Sequence, residues 1–222
     1  MVKAYSLAQL KHMYVTPLQE AWQAVQIIRF CPQMEPVVAA YRKRYPHIAE
    51  AVVMSMDERD ARFLGDSTLT YGETRWTSFI QVLSQLKLTA QDVFMDLGCG
   101  TGFLCMLASC SSGCRAEGHD IISGFIENAN QITRETGLEN ISFFNGDFLQ
   151  RDLNSATVIY MTCTCFPPEV MQTLAQRLKY CRAGTRFVTV TRQLPGEHFR
   201  VLNTLKLKFS WGSDSVWIQE RR

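Results

Sequence analysis

The stretch "DVFMDLGCGTGFLCMLASC", Asp92 to Cys110, decides the architecture. Its first part is a short apolar run ending in an acid and a glycine, as a strand buried on both faces would be. Its last part, "GFLCMLASC", reads as a helix. Gly98, Gly100 and Gly102 join the two. A glycine loop that follows a strand and opens a helix is far more specific than the glycines alone. Two ligand classes compete for it. A dinucleotide fingerprint requires G-x-G-x-x-G, with the third glycine letting helix and strand pack closely. Here the glycines run G-x-G-x-G and Phe103 takes that third position. Asp96 discriminates further, because a pyrophosphate at the helix N-terminus would be repelled by this carboxylate. S-adenosylmethionine carries no phosphate but an ammonium and a sulfonium, both favoured by a nearby acid.

Two more acids close predicted strands. Asp120 ends "RAEGHDI", where a carboxylate can accept from both ribose hydroxyls. Asp147, in "NGDF", can accept from an adenine amino group while Phe148 lies against the purine face. Any one of these acids is also a natural helix N-cap or turn residue. Together with the loop they point to S-adenosylmethionine.

Further out, helix and strand patterns alternate. "TRWTSFIQVLSQL" is an amphipathic helix, and "SGFIENANQITRETG" is a helix closed by Gly137. "ISFFNGDF" and "SATVIYMTCT" are strands. "PEVMQTLAQRLKYCRAG" is a helix with Pro168 in its first turn and Gly184 just past its end. "TRFVTVT", "KLKFSWG" and "SVWIQER" are strands, the last two forming a hairpin around Gly212-Ser213-Asp214. The expectation is an α/β fold: a doubly wound, mostly parallel seven-stranded sheet of Rossmann-like type, with the hairpin as an antiparallel edge. Residues 1–65 read as helices, interrupted near Pro17 and Pro46, and form a helical extension or cap. Residues 66–222 form the cofactor-binding domain.

The chain has 222 residues, 46% hydrophobic and 20% charged, with a formal net charge of +2. That is ordinary for a globular protein. It gives no strong electrostatic pull towards nucleic acid. No apolar run approaches the ~18 residues of a membrane span, and the N-terminus lacks the apolar core of a signal peptide. The eight cysteines include Cys99, Cys105 and Cys163, which stand where cysteine serves as a small hydrophobe. The pairs Cys110/Cys114 and Cys163/Cys165 belong to opposite edges of such a sheet, so they are read as thiols and no metal site is expected. A reducing, cytoplasmic compartment follows. His119 neighbours Asp120 but alternates to the other side of its strand, which gives it a structural role.

One feature is more particular than the loop. "YGET", Tyr71 to Thr74, precedes "RW", whose Arg75 and Trp76 start a helix as surface and packing residues. The chain resembles the class I methyltransferases in "DLGCGTG". In "YGET", "GDF", "SATVIYMT", "F-x-PEV" at Phe166 to Val170 and the terminal "SW" hairpin it is similar to the non-SET histone-lysine methyltransferases, the disruptor-of-telomeric-silencing family. The resemblance covers Tyr71 to the C-terminus. It implies that Tyr71, Gly72, Glu73 and Thr74 fold over the methionine moiety, with Glu73 pairing with the ammonium. It also implies that Asp120 binds ribose, that Asp147 and Phe148 hold adenine, and that a lysine enters beside the segment after the fourth strand.

That segment departs from the family. Two adjacent asparagines followed by Phe-Ala-Phe-Gly-Pro-Glu-Val are replaced by Thr162-Cys163-Thr164-Cys165-Phe166-Pro167-Pro168-Glu169-Val170. Thr162 stands where an asparagine meets the cofactor and offers a hydroxyl instead of an amide. "RFLGDSTLT" replaces an extended loop, and the basic nucleosome-binding tail is absent. "FPPE" keeps the prolines of the Asn/Asp-Pro-Pro-aromatic box of amine methyltransferases but has Phe166 for the polar residue. Phe166 reads as channel wall or as core packing.

Methyl transfer from a sulfonium is an in-line displacement that mainly needs positioning and exclusion of water. A lysine buried in an apolar channel loses its proton without a strong base. Thr162, Thr164 and Phe166 are the expected acceptor-side residues. Three readings stand: a protein-lysine methyltransferase, a methyltransferase of a small molecule or another protein group, and a non-catalytic S-adenosylmethionine-binding module.

Overall fold

The computed structural model describes residues 7–61 and 71–222. The segment replacing the family's extended loop, residues 62–70, lies outside the described residues. Three helices come first: α1 (Leu7–Phe30), α2 (Glu35–Arg44) and α3 (Ile48–Ala61). The interruption expected at Pro17 is absent, and α1 runs through it. A proline removes one helical N–H and crowds the preceding turn. The turns that follow bury Ala24 and Ile27, and that packing carries the helix across. The break at Pro46 does separate α2 from α3, since the residue before a proline is pushed out of the helical region.

From here helices and strands alternate: α4 (Trp76–Leu86), β1 (Val93–Leu97), α5 (Phe103–Ser112), β2 (Arg115–Asp120), α6 (Ser123–Thr136), β3 (Ile141–Asn145), β4 (Val158–Thr162), α7 (Pro168–Leu178), β5 (Arg186–Val190), β6 (Phe199–Phe209) and β7 (Gly212–Arg221). Gly137 does close α6, in the left-handed conformation at φ 68°. By contrast, α7 stops at Leu178, short of Gly184. Successive turn bonds, Tyr180 N–H to Arg177 and Cys181 N–H to Leu178, bend the chain early. Gly184, at φ 85°, serves the turn into β5, its N–H donating to Arg221. β3 also ends before its expected limit. Gly146 leaves the strand at φ 135° and Phe148–Gln150 form a 3-10 turn.

The sheet has seven strands in the order β3-β2-β1-β4-β5-β7-β6. β1 to β5 pair in parallel, and β7 is antiparallel to both β5 and β6. The hairpin thus closes one side of the sheet, but its second strand lies inside its first, so the outermost strand β6 again runs with β5. Its turn is Ser210–Trp211, because Phe209 pairs with Gly212, and not the expected Gly212-Ser213-Asp214.

Strand alternation sends successive side chains to two cores. Phe94, Tyr160 and Val188 face α4, α5, α6 and the N-terminal helices; Met95, Ile159 and Phe187 face α7. Asp96 shares the side of Phe94. The first core is continuous from Ile27, Met34, Val37 and Tyr41 through Trp76 and Phe103 to Phe125, so the N-terminal helices pack on the sheet-bearing part through a common apolar cluster. Among the described residues no helix is long and apolar enough to cross a membrane.

Candidate active site

A cavity of about 610 Å³ opens at the carboxyl ends of β1, β2 and β4. This is the edge where open α/β sheets place their ligands, and the size is that of a small-molecule pocket. The glycine loop forms its floor. Gly98, at φ 83°, has open space where a side chain would be, whereas a Cβ on Gly100 would stand 2.8 Å from the ring of Tyr71. Gly102 is the one predicted loop residue that does not line the cavity. It lies behind it, where a Cβ would come within 2.6 Å of Phe143, so its part is to let α5 approach β3.

The other predicted residues converge. Tyr71, Gly72, Glu73, Thr74, Asp96, Gly98, Gly100, Asp120, Asp147, Phe148, Thr162, Thr164 and Phe166 all line the same cavity. The four-residue box is held from two sides. Glu73 N–H donates to Ser210 Oγ at 2.9 Å, and Ser210 N–H returns a bond to the Glu73 carbonyl at 2.9 Å. Thr74 Oγ1 bonds the Tyr160 hydroxyl of β4 at 2.8 Å. Gly72 passes so close to Trp211 that a Cβ would sit 2.8 Å from the indole.

The four acids differ in their company. Glu73 Oε1 accepts from the Tyr41 hydroxyl at 3.1 Å, and that hydroxyl also meets Thr101 Oγ1 at 3.1 Å. Burial pushes the Glu73 carboxyl up to about 7, against the pull of the Tyr41 and Tyr71 hydroxyls. Asp120 accepts from Gly100 N–H at 2.7 Å and Ile122 N–H at 2.8 Å. Burial raises it to about 6 despite these bonds. Each of its oxygens keeps a lone pair for a hydroxyl. Asp147 is exposed and accepts from Leu149 N–H at 2.8 Å, capping the 3-10 turn as it lines the cavity. Asp96 is 2% exposed and has no hydrogen-bond partner among the described residues. Burial, then the charge of Asp120, hold it well above the ordinary carboxylate range.

A buried carboxylate with no partner is costly unless something positive meets it. Among the described residues the cavity is lined by four acids and by no lysine, arginine or histidine. It therefore repels phosphate and suits a cationic ligand. S-adenosylmethionine, with its ammonium and sulfonium, fits this set of groups. Glu73 and Asp96 could serve as its counter-charges, Asp120 could accept from a ribose, and Phe148 offers an aromatic face. Phe148 and Phe166 lie with ring centroids 5.5 Å apart, joining the expected adenine side to the acceptor side as one wall.

His119 is buried, stacks on Phe144 at 5.1 Å and does not line the cavity. Cys114 precedes β2 at one edge of the sheet, and Cys163 follows β4 at the other. Among the described residues no group of three or more metal-ligating side chains forms. Trp76 packs flat on Phe103 at 3.8 Å. Sequence reading missed Tyr41, Thr101, Ser55 and Trp211. Tyr41 and Ser55 come from α2 and α3, and no motif marks them. The only trace of Tyr41 is its spacing of four from Tyr45, one helical turn apart on an apolar face.

The chain matches the family model described as histone methylation protein DOT1 over residues 51–208. Relatives include a histone-lysine N-methyltransferase, H3 lysine-79 specific, from Dictyostelium discoideum, 28% identical over 60% of this chain and 8% of that protein. One of the same description from Caenorhabditis elegans is 30% identical over 56% of this chain and 15% of that protein. The chain thus spans a small part of the curated relatives it matches. Among solved structures, an RNA methyltransferase from Salinibacter ruber in complex with S-adenosyl-L-homocysteine superposes with a TM-score of 0.58. It is 25% identical and covers 67% of this chain and 92% of that one. A geranyl diphosphate methyltransferase, 15% identical with a TM-score of 0.55, covers 67% of this chain and 79% of that one and shares the fold.

Proposed function

The chain belongs to the DOT1 family of histone methylation proteins, and from that premise we propose that it is an S-adenosylmethionine-dependent methyltransferase acting on a lysine amine of a protein. One observation carries the reading. A cavity beside the glycine loop is lined by Glu73, Asp96, Asp120 and Asp147 and by no cationic side chain among the described residues.

Bound S-adenosylmethionine supplies an electrophilic methyl group on a sulfonium. The chain's residues do the rest by placement. Glu73, braced by Tyr41, and Asp96 hold the positive end. Asp120, fixed by two backbone N–H groups, takes the ribose. Thr162 and Thr164, with Phe166 and Trp211, shape the acceptor side. Burial of the entering amine in this largely apolar wall favours its neutral, nucleophilic form. No side-chain base is required of the wall, which offers hydroxyls and aromatic rings.

Histone H3 is the first acceptor to try, since the curated relatives are named for it. The protein should be incubated with methyl-labelled S-adenosylmethionine and, in parallel, recombinant H3, nucleosomes and a protein extract. Label recovered as methyl-lysine after hydrolysis supports the proposal. Label recovered in a small molecule other than S-adenosylmethionine itself would move the acceptor to a metabolite. Bound cofactor with no transfer anywhere would leave a binding module. Six of the cysteines are buried thiols, which supports the proposed reducing, cytoplasmic setting; imaging of the tagged chain tests it.

A further inference from the structure

Thr191 follows β5 directly and has φ 72°, in the left-handed region. A β-branched residue there is strained, and such strain persists only where the surroundings enforce it. Here they do. Thr191 N–H donates to the Ser215 carbonyl at 2.8 Å, and its hydroxyl lies 2.6 Å from Asp214 Oδ2 and 2.8 Å from Thr164 Oγ1. Thr164 lines the cavity. The three side chains form a line from Asp214 in β7 to the acceptor side of the site.

The direction of these bonds follows from counting protons. A carboxylate can only accept. Asp214 takes Ser215 N–H at 2.7 Å and the Trp211 indole N–H at 3.3 Å besides Thr191. Burial alone would raise its carboxyl, but these bonds outweigh it and leave it below the ordinary range. Thr191 must therefore donate its single hydroxyl proton to Asp214. It has none left for Thr164, so Thr164 must donate to Thr191, and Thr164 then turns only lone pairs to the cavity.

We infer that Thr191 and Asp214 are positioning residues that fix Thr164 as an obligate hydrogen-bond acceptor, so that the site selects a methyl acceptor bearing N–H donors. This rests on the methyltransferase reading above and names the acceptor's chemistry within it. An amine that is to be methylated must keep its lone pair for the new bond, so its N–H groups need acceptors elsewhere. Thr164 is such an acceptor.

Two variants free Thr164 from the line. Asp214→Ala leaves Thr191 able to donate to Thr164, and Thr191→Val removes the acceptor of the Thr164 proton; in both, Thr164 can turn its proton into the cavity. The probes are n-butylamine and methyl n-propyl ether, titrated calorimetrically into protein saturated with S-adenosylhomocysteine. The ether can only accept, so it finds no bond at Thr164 in the wild-type protein and gains one in the variants. The wild-type protein should prefer the amine by about tenfold, Asp214→Ala and Thr191→Val should narrow that preference, and Thr191→Ser, which keeps the hydroxyl, should retain it. S-adenosylhomocysteine affinity, measured alongside, reports that each variant is folded. An amine preference in Asp214→Ala or Thr191→Val equal to that of the wild type overturns this inference and leaves the proposed function standing. A wild-type protein that binds S-adenosylhomocysteine without preferring the amine overturns the amine acceptor as well.

Discussion

Glu73 and Asp96 guard one cavity but stand differently. Glu73 has a partner, Tyr41, and still sits at about 7 because burial outweighs it. For an acid raised in the folded state, the native form keeps a proton that the unfolded chain has lost. Stability without cofactor should therefore fall as pH rises from the ordinary glutamate value towards 7. An ammonium partner favours the ionised form, so cofactor affinity should move the other way. Calorimetric titration with S-adenosylmethionine is expected to show affinity rising about five- to tenfold from pH 6 to 7.5. Glu73→Gln should bind more weakly, by about tenfold or more, with a shallower pH slope. A full slope in that variant would assign the titration to Asp120 or Asp96. Asp96 has no hydrogen-bond partner to lose among the described residues. Asp96→Asn should weaken cofactor binding while the melting temperature of the cofactor-free protein at pH 8 does not fall, since a buried lone charge stabilises nothing. A lower melting temperature in that variant would show that Asp96 has a structural partner.

At the scale of elements, the loop and the strand ends that carry Asp96, Asp120 and Thr162 were legible because buried strands leave runs of Val, Ile, Leu and Phe stopped by acids and glycines. β6 was half legible. Its last residues alternate cleanly, but Arg200, Val201 and Leu202 are exposed in succession. A bulge between Val201 and Asn203 breaks the period of two there, and no pattern marks an outer strand that is solvated. The hairpin turn was misplaced for a related reason. Ser210 is tied to Glu73 in both directions, so the turn is set by a tertiary partner and not by the Gly-Ser-Asp residues that favour turns locally. Gly72 completes this joint by admitting the Trp211 indole. Gly72→Ala should push the box off the hairpin and lower S-adenosylmethionine affinity by about tenfold or more, with far-ultraviolet circular dichroism unchanged. Unaltered affinity would mean that the indole yields without moving Glu73.

Over the whole molecule, the N-terminal helices are where sequence reading stopped, and the reason is physical. A helix that packs by its apolar face carries only periodicity, and periodicity names neither its partner nor its use. α1 and α2 lie outside the family match, which begins at residue 51, yet Tyr41 of α2 reaches Glu73 and Thr101. Its ring packs against Trp76 and Phe103 at 5.4 and 5.0 Å. α3 is anchored separately. Glu58 accepts from Ser123 N–H and Oγ–H and from Gly124 N–H, covering the first turn of α6 directly after Asp120. We propose that these helices are an integral support of the cofactor site and not a detachable cap. Removing residues 1–46 would uncover Trp76 and Phe103, which pack on Tyr41 and are at most 7% exposed. Each large side chain so bared forfeits roughly 1.5–3 kcal/mol, against a total stability of about 5–15 kcal/mol for a domain. The truncated chain should therefore bind a hydrophobic dye, lose its cooperative melting transition and fail to bind S-adenosylmethionine. Tyr41→Phe in the full chain separates packing from chemistry. It keeps the ring, so melting should change little, while the loss of the hydroxyl that orients Glu73 should weaken the cofactor by about three- to tenfold. A truncated protein that melts cooperatively and binds cofactor as the full chain does would make the helices a cap after all.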